Sequence, residues 1–165
     1  RMGGIGGSAE ATKRAFVPGE IGVMSRSGGM TVEIANSLSA AGLGISTAVS
    51  IGGDVIIGSS YAELMPLFDK DDETKGIAIY SEPGGRAELL LAEYVKKSKR
   101  KLPIVAFMAG KFMDAMPGMR FGHAGTIVEG KADTTEEKIL RMEEAGITVV
   151  ERIEEIPVKL KELIS

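Results

Sequence analysis

A chain of 165 residues with 44% apolar side chains has the length of one domain and enough nonpolar surface for a single core. Its 20 Lys and Arg against 23 Asp and Glu leave a net charge of -3, too balanced to draw the molecule to nucleic acid or to a membrane surface. The lack of cysteine excludes disulfides, thiolate metal sites and cysteine nucleophiles, and no apolar run reaches the roughly 20 residues of a membrane-spanning helix.

The opening Arg1-Met2-Gly3-Gly4-Ile5-Gly6-Gly7 carries no signal-peptide pattern, which makes a cytoplasmic setting the default. Its glycines make residues 1–17 read as a linker or the remnant of a preceding domain, with the folded domain over 18–165. Ile21-Gly22-Val23-Met24 predicts a buried strand, followed by the turn Ser25-Arg26-Ser27-Gly28-Gly29 and a helix from about Met30 to Ala41. Val32, Ala35, Leu38 and Ala41 give that helix its apolar face, and Gly42 closes it.

Thr47 to Ile51 predicts the second strand, ended by Gly52-Gly53-Asp54, with a helix from about Tyr61 to Phe68 after it. Ile77 to Tyr80 predicts the third, leading into Ser81-Glu82-Pro83-Gly84-Gly85 and a helix whose apolar side carries Ala87, Leu90, Leu91, Tyr94 and Val95. Lys96-Lys97 and Lys99-Arg100-Lys101 complement that helix's C-terminal dipole and read as a solvated cap. Ile104 to Phe107 predicts the fourth strand. An irregular stretch from Ala109 to about Glu129 follows, and long loops of this kind are commonly functional.

Thr134-Thr135-Glu136-Glu137 carries a capping signal for the next helix, Ile147 to Val150 predicts a fifth strand, and a last helix covers Ile153 to Ile164. Pro157 should confine the regular part of that helix to its later residues. Strands alternating with helices in this way predict an α/β fold: a doubly wound, mostly parallel, flavodoxin-like sheet of order 2-1-3-4-5. Its ligand site belongs at the C-terminal ends of the strands.

Three segments fall at those strand ends. The Ser25 to Gly29 turn brings backbone N–H groups and a helix dipole to an anion, for which phosphate is the natural guest. Glu82 follows the third strand, where its carboxylate can orient an imidazolium or a phosphoimidazole. His123 is the one histidine of the chain and stands in Gly122-His123-Ala124-Gly125, where small neighbours leave the ring accessible to phosphate or to another protein. The charge run Asp69, Asp71, Asp72 and Glu73 reads as a solvated loop rather than a metal site, and Lys111 and Arg120 flank the histidine loop, where they face an anionic substrate or solvent.

Gly22-Val23-Met24-Ser25-Arg26-Ser27-Gly28, Ile51-Gly52-Gly53-Asp54, Ser81-Glu82-Pro83-Gly84-Gly85 and Arg120-Phe121-Gly122-His123-Ala124-Gly125 together resemble the α subunit of succinyl-CoA synthetase and its relatives, the nucleoside-diphosphate-forming acyl-CoA ligases. The resemblance runs from about Pro18 to Leu163. It implies an acid–thiol ligase in which His123 is transiently phosphorylated, Glu82 holds its ring, and Ser27 with Gly28 bind its phosphate. It also implies CoA and ATP or GTP with Mg as substrates of a complete enzyme, none of them held by this domain alone and no metal ligands within it. The implied partners are an ATP-grasp subunit or domain and an N-terminal CoA-binding Rossmann domain, within an oligomer. Ser81 and Pro83 replace the Gly and Ile of succinyl-CoA synthetase, which leaves acetyl, succinyl, citryl and other acyl groups open.

Three other readings stand beside this one. An FMN-binding module fits the first loop but has no Trp to sandwich the flavin ring. A serine hydrolase would use Ser27, Asp114 and His123, although Ser25 stands where the nucleophile elbow wants Gly. The third is a non-catalytic interaction domain.

Overall fold

The computed structural model describes residues 2–3, 5–99 and 102–165. Arg1, Gly4, Arg100 and Lys101, which belong to the predicted linker and basic cap, lie outside the described residues. Five strands form one parallel sheet in the order β2-β1-β3-β4-β5: β1 Pro18–Ser25, β2 Ile45–Ser50, β3 Gly76–Ser81, β4 Ile104–Met108 and β5 Thr148–Val150. The expected α/β architecture and strand order are both present.

Both faces of the sheet are covered, so its central strands are buried almost without interruption. Side chains two apart share a face. Ile21, Val23, Ala78 and Val105 point to one core, with α1 Ala9–Ala15, α2 Gly28–Ala40 and α6 Glu155–Ile164. Met24, Ile77, Ile79, Ile104 and Ala106 point to the other, with α3 Tyr61–Phe68, α4 Ala87–Lys97 and α5 Thr135–Glu144. Gly22 lacks a side chain because Phe68 fills its place: a Cβ there would stand 2.6 Å from the Phe68 ring.

Several local expectations change. Within residues 1–17 the chain forms the helix α1, capped by Ser8, whose buried Ala15 accepts a hydrogen bond from Ser39 on α2. Met2 also bridges Val49 in parallel at the edge of β2. The buried face of α2 is Thr31, Ile34, Ala35 and Leu38, which keeps Ala35 and Leu38 of the predicted stripe and replaces Val32 and Ala41 with Thr31 and Ile34. On α4 the buried face is Glu88, Leu91, Ala92 and Val95, and Leu90 is exposed. Glu88 lies on the buried face of that helix and belongs to the site described below.

The stretch from Ala109 to Glu129 is not wholly irregular: Lys111–Ala115 is a 3-10 helix. Pro157 lies in the first turn of α6, where its missing N–H costs no helical bond, so the helix begins before it and not after it. Pro66 sits inside α3, which is only eight residues long. Asp69 at the end of α3 accepts hydrogen bonds from Tyr94 and Ser98 and so ties α3 to α4; Asp71 accepts from Thr74. No helix among the described residues is long and apolar enough to cross a membrane.

Candidate functional site

The loops after β1, β2, β3 and β4 meet at the C-terminal edge of the sheet. The first ends in the cap of α2, where Ser27 Oγ accepts from the Met30 N–H, and Ser25 Oγ accepts from the Ser27 N–H. The Gly28 and Gly29 N–H groups open the helix and have no carbonyl of their own helix to meet.

The loop after β4 carries His123 in a turn closed by a hydrogen bond from the Thr126 N–H to the His123 carbonyl, 3.0 Å. His123 Nδ1 lies 3.0 and 2.8 Å from the two carboxylate oxygens of Glu82. Thr126 Oγ1 donates to the same carboxylate at 3.4 Å. Glu82 is 8% exposed, whereas the His123 side chain keeps 40% of its surface in solvent. A carboxylate only accepts, so Nδ1 carries the proton and Nε2 of the neutral ring keeps a free lone pair.

The loop after β2 seats the ring. A Cβ on Gly53 would stand 2.2 Å from His123 Cγ and Nδ1, and the Gly53 carbonyl accepts from the Gly125 N–H at 2.9 Å. The loop after β3 closes over the same turn: Gly84 has φ +85°, and a Cβ there would lie 2.3 Å from the Gly125 carbonyl oxygen. Only glycine satisfies both conditions.

Beneath this surface lie two buried cations and two buried anions. Arg26 Nη1 donates to the carbonyls of Glu82, Pro83 and Gly84 at 3.2, 3.2 and 3.0 Å. Lys138 Nζ, from α5, donates to the carbonyls of Glu82 and Gly84 at 3.0 and 2.6 Å and pairs with Glu88 at 2.7 Å. Burial pulls the Lys138 ammonium below its usual range, and Glu88 opposes that pull. Tyr80 is pushed up from 10.0 to about 12, first by burial and then by the Glu82 charge. Tyr61, fully buried with its hydroxyl donating to the Tyr80 carbonyl at 2.6 Å, is raised well above its ordinary value by burial.

A cavity of about 610 Å³ opens beside the histidine, lined by Arg26, Gly28, Gly52, Gly53, Ser59 and His123 among others. It joins a helix start rich in N–H donors to an imidazole with one nitrogen held and the other available. That combination can bind an anion and accept an electrophilic phosphorus.

The family profile of the succinyl-CoA ligase-like flavodoxin domain matches residues 18–160. The chain belongs to this family. It is 43% identical over 150 residues to the succinate–CoA ligase [ADP-forming] subunit alpha 2 of Archaeoglobus fulgidus, covering 91% of this chain and 50% of that protein. It is 39% identical over 151 residues to the ADP-forming sulfoacetate-CoA ligase subunit SqwL of an Acholeplasma species, covering 92% and 50%. Among solved structures, the ATP citrate lyase of Methanosaeta concilii, in complex with (3S)-citryl-CoA, superposes with a TM-score of 0.88 at 28% identity, covering 96% of this chain and 27% of that one. This succinyl-CoA ligase-like domain therefore spans about half the length of these curated relatives.

Of the site residues predicted from sequence, Glu82 and His123 are in contact, and Gly28 lines the same cavity as His123. Ser27 is the helix cap, its hydroxyl engaged by Met30. Asp114 does not approach the histidine. Its carboxylate accepts from the Thr135 N–H, the Thr135 hydroxyl and the Glu136 N–H, so it holds the start of α5 and leaves the serine-hydrolase arrangement without its acid. Lys111 pairs with Glu151 at 2.6 Å, and Arg120 is exposed.

Sequence reasoning gave no role to Arg26, Lys138 or Glu88. A signal for the last two was present: Glu88 shares a helical stripe with Leu91 and Val95, and Lys138 with Thr135 and Met142. Opposite charges inside two apolar stripes are the mark of a buried pair.

Proposed function

We propose that this domain carries a phosphoryl group on His123 for a nucleoside-diphosphate-forming acyl-CoA ligase. The Nε2 lone pair attacks the phosphorus of an acyl phosphate, the bond from phosphorus to the acyl oxygen breaks, and the carboxylate leaves. In the second half, a terminal oxygen of the nucleoside diphosphate attacks the same phosphorus, the P–N bond breaks, and the triphosphate departs. Run in reverse, the two halves activate the acid.

Glu82 keeps the proton on Nδ1 and balances the positive charge that the ring gains as the P–N bond forms. Gly28 and Gly29 offer N–H groups to the oxygens of the transferred phosphoryl, with Ser27 fixing the helix start. The observation that carries this reading is the grip of both Glu82 oxygens on Nδ1 of a half-exposed histidine, beside a helix N-terminus and its cavity. CoA, MgATP or MgGTP and the acyl acid are substrates of the whole ligase. An ATP-grasp partner supplies the nucleotide site, and a CoA-binding Rossmann domain and an oligomeric, cytoplasmic enzyme complete the reading. The ligase names and double length of the curated relatives support it.

The test is to mix the chain with an ATP-grasp subunit and γ-labelled ATP and to look for acid-labile, base-stable phosphate. Label on the parent chain and none on His123→Ala is the expected result. Equal label on both proteins would overturn the reading.

A further inference from the structure

Two buried cations stand at the site without a part in the transfer just described. Arg26 is 5% exposed and Lys138 fully buried, and between them they make five hydrogen bonds to three successive carbonyls, those of Glu82, Pro83 and Gly84. The loop they hold has little stiffness of its own, since Gly84 and Gly85 are successive residues with φ +85° and +64°. Both cations engage backbone oxygens of the loop, which leaves the Glu82 carboxylate to His123, Thr126 and Tyr80.

The arrangement is a poor one for stability alone. Glu88 and Lys138 are both fully buried, and Glu88 Oε1 has no hydrogen-bond partner among the described residues. Apolar side chains of similar volume often serve as well or better in such a place. A buried pair that is incompletely compensated, yet aimed at the loop bearing the histidine's partner, indicates a geometric task.

We infer that Arg26 and Lys138 are positioning residues, which fix the Glu82 to Gly84 loop so that the Glu82 carboxylate meets His123 Nδ1 with both oxygens, Glu88 in turn fixing Lys138. The inference rests on His123 being the phosphoryl carrier. Arg26 also joins the two halves of the site, because it lies between Ser25 and the Ser27-Gly28 helix start and lines the cavity with Gly28 and His123. Loss of either cation frees the carboxylate to turn, and the ring turns with it. Misalignment of that kind costs rate without removing any group that touches phosphorus.

His123 is the chain's single histidine, so the Nδ1–H proton of the 15N-histidine-labelled full chain is an unambiguous reporter of the bond to Glu82. The variants are Arg26→Met and the double replacement Glu88→Leu with Lys138→Met, which removes the ion pair together with its grip on the loop while keeping apolar volume. In both, with cooperative thermal melts, the Nδ1–H signal is expected to be lost or to exchange with water at least ~10-fold faster, and phosphorylation by the ATP-grasp subunit to slow roughly 10- to 100-fold. Lys111→Met, at an exposed cation paired with Glu151, should change neither readout.

Melts, signal and rate all matching the parent in both variants would overturn the inference, as would a parent chain with no protected Nδ1–H. If the double variant fails to melt cooperatively, Arg26→Met and the milder Arg26→Lys decide on the same readouts, with Arg26→Lys expected to recover part of both. A lost Nδ1–H signal without phosphate on any form of His123 would sink the phosphoryl-carrier reading and leave the positioning standing. Phosphate on His123 at an unchanged rate with an unchanged signal would sink only the positioning.

Discussion

Gly53 and His123 are packed so that the imidazole occupies the volume of the missing side chain, 2.2 Å from where a Cβ would be. Contacts that short are not tolerated, so any side chain at residue 53 must push the ring away. Gly53 does not have positive φ, so its backbone accepts alanine and the effect is steric alone.

Gly53→Ala is accordingly predicted to leave the fold intact and to slow phosphorylation of His123 roughly 10- to 100-fold, through displacement of the ring from Glu82. Gly130→Ala is the control, because a Cβ there meets nothing within 4 Å. Initial rates of acid-labile label measured beside thermal melts separate the two. Parent-like rates for Gly53→Ala would mean that the ring is not seated as described.

Alkaline pH gives a second check. Burial and the Glu82 charge push Tyr80 up to about 12, and burial raises Tyr61 well above its ordinary 10.0. Both folded-state values exceed the unfolded one, so the unfolded chain loses its phenolic protons first. The contribution of these protons to stability is complete below about pH 10, and that of Tyr80 declines as pH rises from there to about 12. The melting temperature should fall across that interval, and Glu82→Gln, which removes a charge that raises Tyr80, should move the Tyr80 titration down in ultraviolet difference spectra. A Tyr80 titration unchanged in Glu82→Gln would contradict the assigned cause.

Asp114 offers a contrast between stability and chemistry. It takes three hydrogen bonds at the start of α5 and none from His123. Asp114→Ala is expected to lower unfolding stability by about 1–2 kcal/mol, as loss of a helix cap does, with phosphorylation unaffected below the melting temperature. Urea titration measures the first, and the labelling rate the second. A collapse of the rate at full fold would return Asp114 to the site.

The sheet was legible in the sequence because its strands are short apolar runs with punctuation at both ends. The helix from about Tyr61 to Phe68 was legible as an apolar segment after Gly52-Gly53-Asp54, and the Ser60–Glu63 capping box that starts it is a feature the structure adds. The coincidence of Glu82 and His123 followed from topology: parallel strands deliver every βα loop to one edge, wherever the loops fall in the chain. What stayed hidden depended on contacts between distant segments. Glu88 and Lys138 lie 50 residues apart, so that although each sits in a buried helical stripe, nothing local names the other as its partner. The α1 helix was masked by glycine-rich residues before it, and Gly53 by the absence of any local reason for a second glycine after Gly52.

Phosphate is expected to ride on Nε2 of His123, the nitrogen that Glu82 leaves free. Phosphorylating the 15N-histidine-labelled chain with an ATP-grasp subunit and ATP, then recording 15N–31P coupling, identifies that nitrogen. Coupling to Nε2, with Nδ1 still protonated, is the predicted result; coupling to Nδ1, or phosphate on Ser27 in place of the ring, would contradict it.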